Sequence, residues 1–138
     1  MKILVCIANV PDTTAKINFT PDNKEFVSTG VTFILNPYDE IALSKAVDLT
    51  TGGGTVTVIN IGDASTEPTI RKALAIGATD AVRVNSKPRD GYFVARQIAE
   101  YVKTNPFDLI LCGRESSDSN GSSVPAMLAE LLGIPCVL

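Results

Sequence analysis

The chain has 138 residues, of which 45% are apolar and 20% charged, with a net charge of −3; this is the make-up of one globular domain able to bury a core. It contains no histidine, which removes Ser-His-Asp and Cys-His catalysis and most zinc sites. Its basic residues are scattered, with Arg71-Lys72 the longest run, which argues against nucleic acid, and no apolar run approaches the roughly 20 residues of a membrane helix.

Residues 2–8 are short, aliphatic and β-branched, and read as a buried strand. The stretch is too short and too quickly polar for a signal peptide. Residues 10–35 are less regular. Lys16–Phe19 and Val31–Ile34 are expected either to pair as a hairpin or to pack as extended arms around Pro21-Asp22-Asn23. Asn36-Pro37 then opens a helix, with Asn36 as N-cap and Pro37 at the first helical position. Asp39 and Glu40 read as charges suited to the positive end of that helix. Gly52-Gly53-Gly54 stops it.

Residues 55–61 form a second buried strand, and Gly62–Ser65 a turn. A helix capped by Ser65 or Thr66 runs to Ile76, and Gly77 closes it. Residues 81–84 are a third strand. A helix follows the 86–91 loop as far as Thr104, with Val94, Ile98 and Val102 spaced by four. Residues 108–112 are a fourth strand. The loop 113–121 leads into a helix over 123–132, which Gly133-Ile134-Pro135 ends. Residues 136–138 read as the start of another strand. An end inside an apolar strand suggests a fragment of a longer protein.

This alternation predicts an α/β fold over residues 1–138. Its continuous apolar strands belong in a parallel sheet covered by helices on both faces. Ligands of such sheets bind at the carboxyl ends of the strands. Here those ends are Ala8-Asn9, Asn60-Ile61-Gly62 and Cys112-Gly113. Cys6, Cys112 and Cys136 lie in apolar runs with no CxxC spacing. They read as buried, reduced thiols of an intracellular protein.

The candidate functional loop is Gly113–Pro125. It is rich in Gly and Ser and runs straight into a helix, whose first N–H groups suit a phosphate. Ser122 and Ser123 offer hydroxyl donors, and Arg114 a cation for a phosphate or a partner carboxylate. The loop satisfies neither the GK[ST] of a P-loop nor GxGxxG. A plain helix cap and solvated turn remains the alternative. Glu115 and Asp118 read as solvated or cap-forming acids rather than an acid–base pair.

Several segments resemble one family. Lys2-Ile3-Leu4-Val5 with Val10-Pro11-Asp12, Asn36–Leu43 (NPYDEIAL), Thr69–Ala78 (TIRKALAIGA), Gly113-Arg114-Glu115 and Leu128–Pro135 are similar, in order and spacing, to electron transfer flavoprotein beta subunits. The resemblance implies a Rossmann-like domain of the adenine-nucleotide alpha-hydrolase-like type. It implies a heterodimer with an alpha subunit, in a cytoplasmic and bacterial setting, that carries electrons from dehydrogenases to an acceptor and converts no substrate itself. It also implies a bound AMP or FAD. The adenine end is expected against Cys6, Ile7 and Ala8, with Asn36, Ile61 and Gly113 close by. The phosphate end is expected on Asp118, Asn120, Gly121, Ser122, Ser123 and Val124.

The chain departs from the family pattern at Glu115, commonly Gln, and at Ser122–Pro125. Glu115 is expected to add negative charge near the phosphate. Pro125 removes one N–H donor, for which Ser122 and Ser123 are expected to compensate. A free-standing adenine-nucleotide-binding module of the universal-stress-protein type is the competing reading, but its GxxG spacing is missing. A pyrophosphatase-class enzyme would need an SGGxDS-like loop, which 113–120 lacks.

Overall fold

The computed structural model describes all residues, Met1–Leu138. Four strands form a parallel sheet: β1 (Lys2–Cys6), β4 (Thr55–Ile61), β5 (Asp80–Val84) and β6 (Leu109–Cys112), in the order β5-β4-β1-β6. The register pairs Cys6 with Ile59 on one side and with Cys112 on the other. On the far side of β4, Ile61 pairs with Val84. β1 lies inside the sheet with Ile3, Leu4 and Val5 wholly buried. This is why it reads as an unbroken apolar run rather than an alternating one.

Successive residues of β1 feed opposite faces. Ile3, Val5 and Ile7 pack with Leu43 and Ala46 of α1 (Pro37–Thr50) and with Ile70 and Ala73 of α2 (Glu67–Ile76). Leu4 and Cys6 pack on the other face with Ala95, Ile98 and Ala99 of α3 (Gly91–Thr104) and Leu128 of α4 (Val124–Leu132). Helices therefore cover both faces, as the sequence predicts.

Three expectations change. Val31–Ile34 does not pair with Lys16–Phe19. Instead β3 (Phe33–Leu35) runs antiparallel to β2 (Asn9–Pro11), with Leu35 opposite Asn9. Val10, opposite Ile34, and Leu35 are buried, and their burial sets the register. Residues 18–27 form their own turn, through the Phe19–Phe26 bridge and the bond from Val27 N to Asn18 O.

The second change is at residues 136–138, which form no strand. After α4, Gly133 turns left-handed, and Gly133 N and Ile134 N donate back to Glu130 O and Ala129 O. Beyond them no backbone partner exists, and a strand without a neighbour has nothing to hold it. The third change concerns the thiols: Cys6 is buried, Cys112 half-buried and Cys136 exposed. Thr66 stands at the N-cap of α2, one of the two positions expected, though without a side-chain cap bond; a 3₁₀ turn over Ala64–Thr66, capped by Asp63, precedes the helix.

The order of the sheet reverses at β1. β4 and β5 follow on one side, whereas β6 comes back to the other. The loops that leave β1 and β6 therefore separate above the sheet, opening a crevice at its carboxyl edge.

Candidate functional site

That crevice is a cavity of about 710 Å³, within the usual size range of small-molecule sites. Its floor comes from the strand ends: Cys6, Ile7 and Ala8 after β1, Ile59, Asn60 and Ile61 of β4, and Cys112 and Gly113 after β6. Most of these groups are apolar, which suits a flat, weakly polar ring. The Cys6 thiol is pushed up by its hydrogen bond with the Cys112 thiol and by burial. It therefore stays protonated and is no nucleophile.

Asn60 is the exception in the floor. It is 2% exposed, between Ile59 and Ile61 in β4. Its Nδ2 donates to Ile7 O at 3.0 Å, which fixes the amide orientation, since only the NH₂ side can donate to a carbonyl. Its Oδ1 then has no partner. A buried acceptor left unpaired costs about 1–3 kcal/mol, and native structures keep few of them.

The first turn of α1 locks the strand ends together. Asn36 stands at the N-cap, as expected, yet its side chain makes no cap bond. It is buried, donating from Nδ2 to Glu115 O at 2.9 Å and accepting from Ser117 N at 3.2 Å. Asp39 is likewise no solvated helix-start charge. It is 6% exposed and accepts from Ala8 N at 2.8 Å and Gly113 N at 2.9 Å. One carboxylate thus ties the ends of β1 and β6 to the helix. Burial pushes its carboxyl up to about 6, against the lowering effect of Asn36 and the two N–H donors. A Cβ at Gly113 would overlap Asp39 Oδ1 and stand 2.9 Å from Asp39 N, so only glycine allows this approach.

The Gly113–Ser123 loop is held from within. Glu115 accepts from Ser122 Oγ at 2.9 Å and Asn120 Nδ2 at 3.2 Å, and these bonds keep its carboxyl below the usual range. Asn120 and Ser122 take positive φ values of 52° and 47°, uncommon outside glycine. The expected role of Ser122 changes accordingly, because its hydroxyl serves Glu115. Ser123 keeps a hydroxyl with no such partner. The N–H groups of Val124 and Ala126 at the start of α4 donate to no backbone carbonyl, while Pro125 between them has none to offer.

Of the residues expected at the site, Cys6, Ile7, Ala8, Asn36, Ile61, Gly113, Asp118, Gly121, Ser122, Ser123 and Val124 all line this one cavity. Asn120 does not; its side chain turns to Glu115 instead. Sequence reasoning took Asp39 only as a helix-start charge and Asn60 only as part of a strand end, and it missed the Lys87–Gly91 wall. For Asn60 a signal existed: an amide near the end of a buried strand. For Lys87–Gly91 the signal was position, since this loop leaves β5 at the same sheet edge.

Comparison with known proteins shows the family. The family profile described as "Electron transfer flavoprotein domain" matches residues 24–138. The chain is 36% identical to the electron transfer flavoprotein subunit beta of Thermoanaerobacterium thermosaccharolyticum, over 99% of this chain and 54% of that protein. It is 35% identical to the subunit of the same name in Bacillus subtilis, with 99% and 54% covered. With Protein FixA of Azotobacter vinelandii the identity is 34%, over 96% of this chain and 50% of that protein. The chain thus spans about half the length of the curated relatives it matches.

Proposed function

The chain belongs to the electron transfer flavoprotein family, and on that footing we propose that it is the nucleotide-binding part of an electron-carrier subunit. In this reading it binds AMP or FAD, pairs with an alpha subunit, and serves the passage of electrons from dehydrogenases to an acceptor in the bacterial cytoplasm. Two of the relatives named above are electron transfer flavoprotein subunits by name, which supports a carrier rather than a substrate-converting enzyme.

The observation that carries the nucleotide is the apolar slot at the strand ends, which runs to the free N–H groups of Val124 and Ala126 at the start of α4. A flat, weakly polar ring would bury its faces there. Adenine has that chemistry. Cys6, Ile7, Ala8 and Ile61 would hold the ring, with Asn36 and Gly113 behind it. The free N–H groups of Val124 and Ala126, with the Ser123 hydroxyl, would receive a phosphate. FAD, when bound, supplies the electron-accepting ring, whereas AMP supplies no redox chemistry and fills the cavity.

The acids near the cavity fit binding better than acid–base chemistry. Asp39 is turned onto two backbone N–H groups, and Glu115 onto Ser122 and Asn120. Neither has an oxygen without a protein donor to serve a reacting group.

Titration of the purified chain with AMP and with FAD tests this reading. Binding of at least one with a Kd of about 1 μM or tighter, near −8 kcal/mol, is expected. Ser123→Glu should abolish it by placing a second anion against the phosphate. Absence of binding for both ligands, or unchanged affinity in Ser123→Glu, counts against it. Co-expression with an alpha subunit from a related bacterial pair should yield a complex, and failure to co-purify removes the partner claim.

A further inference from the structure

The β5–α3 connection faces the Gly113–Ser123 loop across the cavity. Lys87, Arg89 and Gly91 belong to the lining. A Cβ at Gly91 would stand 2.6 Å from Ser123 Oγ, so the first residue of α3 touches the residue that precedes α4. Helices of 14 and nine residues therefore begin at one place. Each brings partial positive charge there.

Lys87 and Arg89 add full charges. The four ion pairs of the molecule use Arg71, Lys72, Arg83 and Lys103, so neither cation is paired. The Arg89 guanidinium rests over the Phe93 ring, 5.4 Å from its centre. Lys87 acts at a distance on Asp63, which is held low chiefly by Ser65 and only in part by Arg83 and Lys87.

The carboxylates of the lining do not take up these cations. Asp39 is engaged by Ala8 and Gly113, Asp63 by Ser65, Asp90 by Phe93 N, and Glu115 by Ser122 and Asn120, while Asp118, the fifth, forms an ion pair with neither. Arg114 is the one other cation, and its charge reaches Glu115 on the opposite wall. Two unpaired cations thus stand beside two helix starts. Asn60, another residue of the lining, is 2% exposed and has an Oδ1 with no hydrogen-bond partner.

We propose that Lys87 and Arg89 are the charged side of a phosphate site, with the phosphate held between them and the starts of α3 and α4. The inference rests on the nucleotide reading above. It adds recognition of charge by a loop that lies outside Asp118–Val124. It also explains how a loop deprived of one donor at Pro125, and of the Ser122 hydroxyl, still holds an anion. Removal of the two charges weakens binding of any ligand that carries the phosphate and leaves the bare nucleoside unaffected.

The test compares AMP with adenosine by calorimetry, in the unaltered chain and in the Lys87→Gln/Arg89→Gln double variant. Both positions are exposed, so folding is not at stake. The double variant should bind AMP about 10-fold more weakly or worse, the scale of hydrogen bonds to charged groups, with adenosine within about 2-fold of the unaltered chain. AMP binding should also lose salt sensitivity in the variant. If the unaltered chain binds AMP and the AMP-to-adenosine ratio is the same in the variant, this inference is overturned while the nucleotide reading stands. If the unaltered chain binds neither, both fall together.

Discussion

Asp39 joins the ends of β1 and β6 to the start of α1 through its bonds from Ala8 N and Gly113 N. Its carboxyl titrates near 6 rather than 3.8 because burial opposes its charge. An acid with a raised folded value binds more protons folded than unfolded between those two pH values. The ionised form therefore lowers stability; the loss is full above about pH 6 and gone below about 3.8. Asp39→Asn removes this titration. The stability of the unaltered chain relative to Asp39→Asn should fall as pH rises across that window, by at most about 3 kcal/mol. Denaturant melts at a series of pH values measure it, and parallel curves for the two proteins would contradict it. The amide resonances of Ala8 and Gly113 should titrate with a midpoint near 6 in the unaltered chain only. Asp39→Ala is a harsher change, since it strands two N–H groups at about 1–3 kcal/mol each.

Among the elements, the Gly113–Ser123 loop depends on the start of α1. Asn36 and Asp39 reach it from there, and Glu115 closes it from inside. Gly113→Ala forces a Cβ onto Asp39 and should destabilise by about 1–3 kcal/mol, the range for overpacking. Its nucleotide affinity should fall in parallel, and a melting curve equal to that of the unaltered chain would refute the close approach. Periodicity and turn residues made the elements legible. Four apolar runs became four parallel strands, and Asn36-Pro37 did open α1. Side-chain destinations were not legible. Asn36 and Asp39 carry the signature of a helix start, and nothing local tells that both are aimed at residues more than 70 positions away. The partner of Phe33–Leu35 was missed for a related reason. Lys16–Phe19 was the run that offered itself, whereas burial of Val10 and Leu35 against the body of the fold favours pairing with Asn9–Pro11.

For the whole molecule, the reversal of strand order at β1 makes the crevice at the carboxyl edge of the sheet. A ligand there would bridge β1, β4, β6 and the starts of α3 and α4, which would link binding to folding. At 100 times its Kd, AMP or FAD should raise the unfolding free energy by about 2.7 kcal/mol, seen as an upward shift in Tm. An unshifted Tm at that excess would contradict a site built from the folded chain. The most direct measurement is to purify the chain without added nucleotide, denature it and identify what it releases. The account predicts AMP or FAD in amounts approaching one per chain. Release of no adenine nucleotide, from a chain that also takes up neither AMP nor FAD when they are supplied, would contradict it.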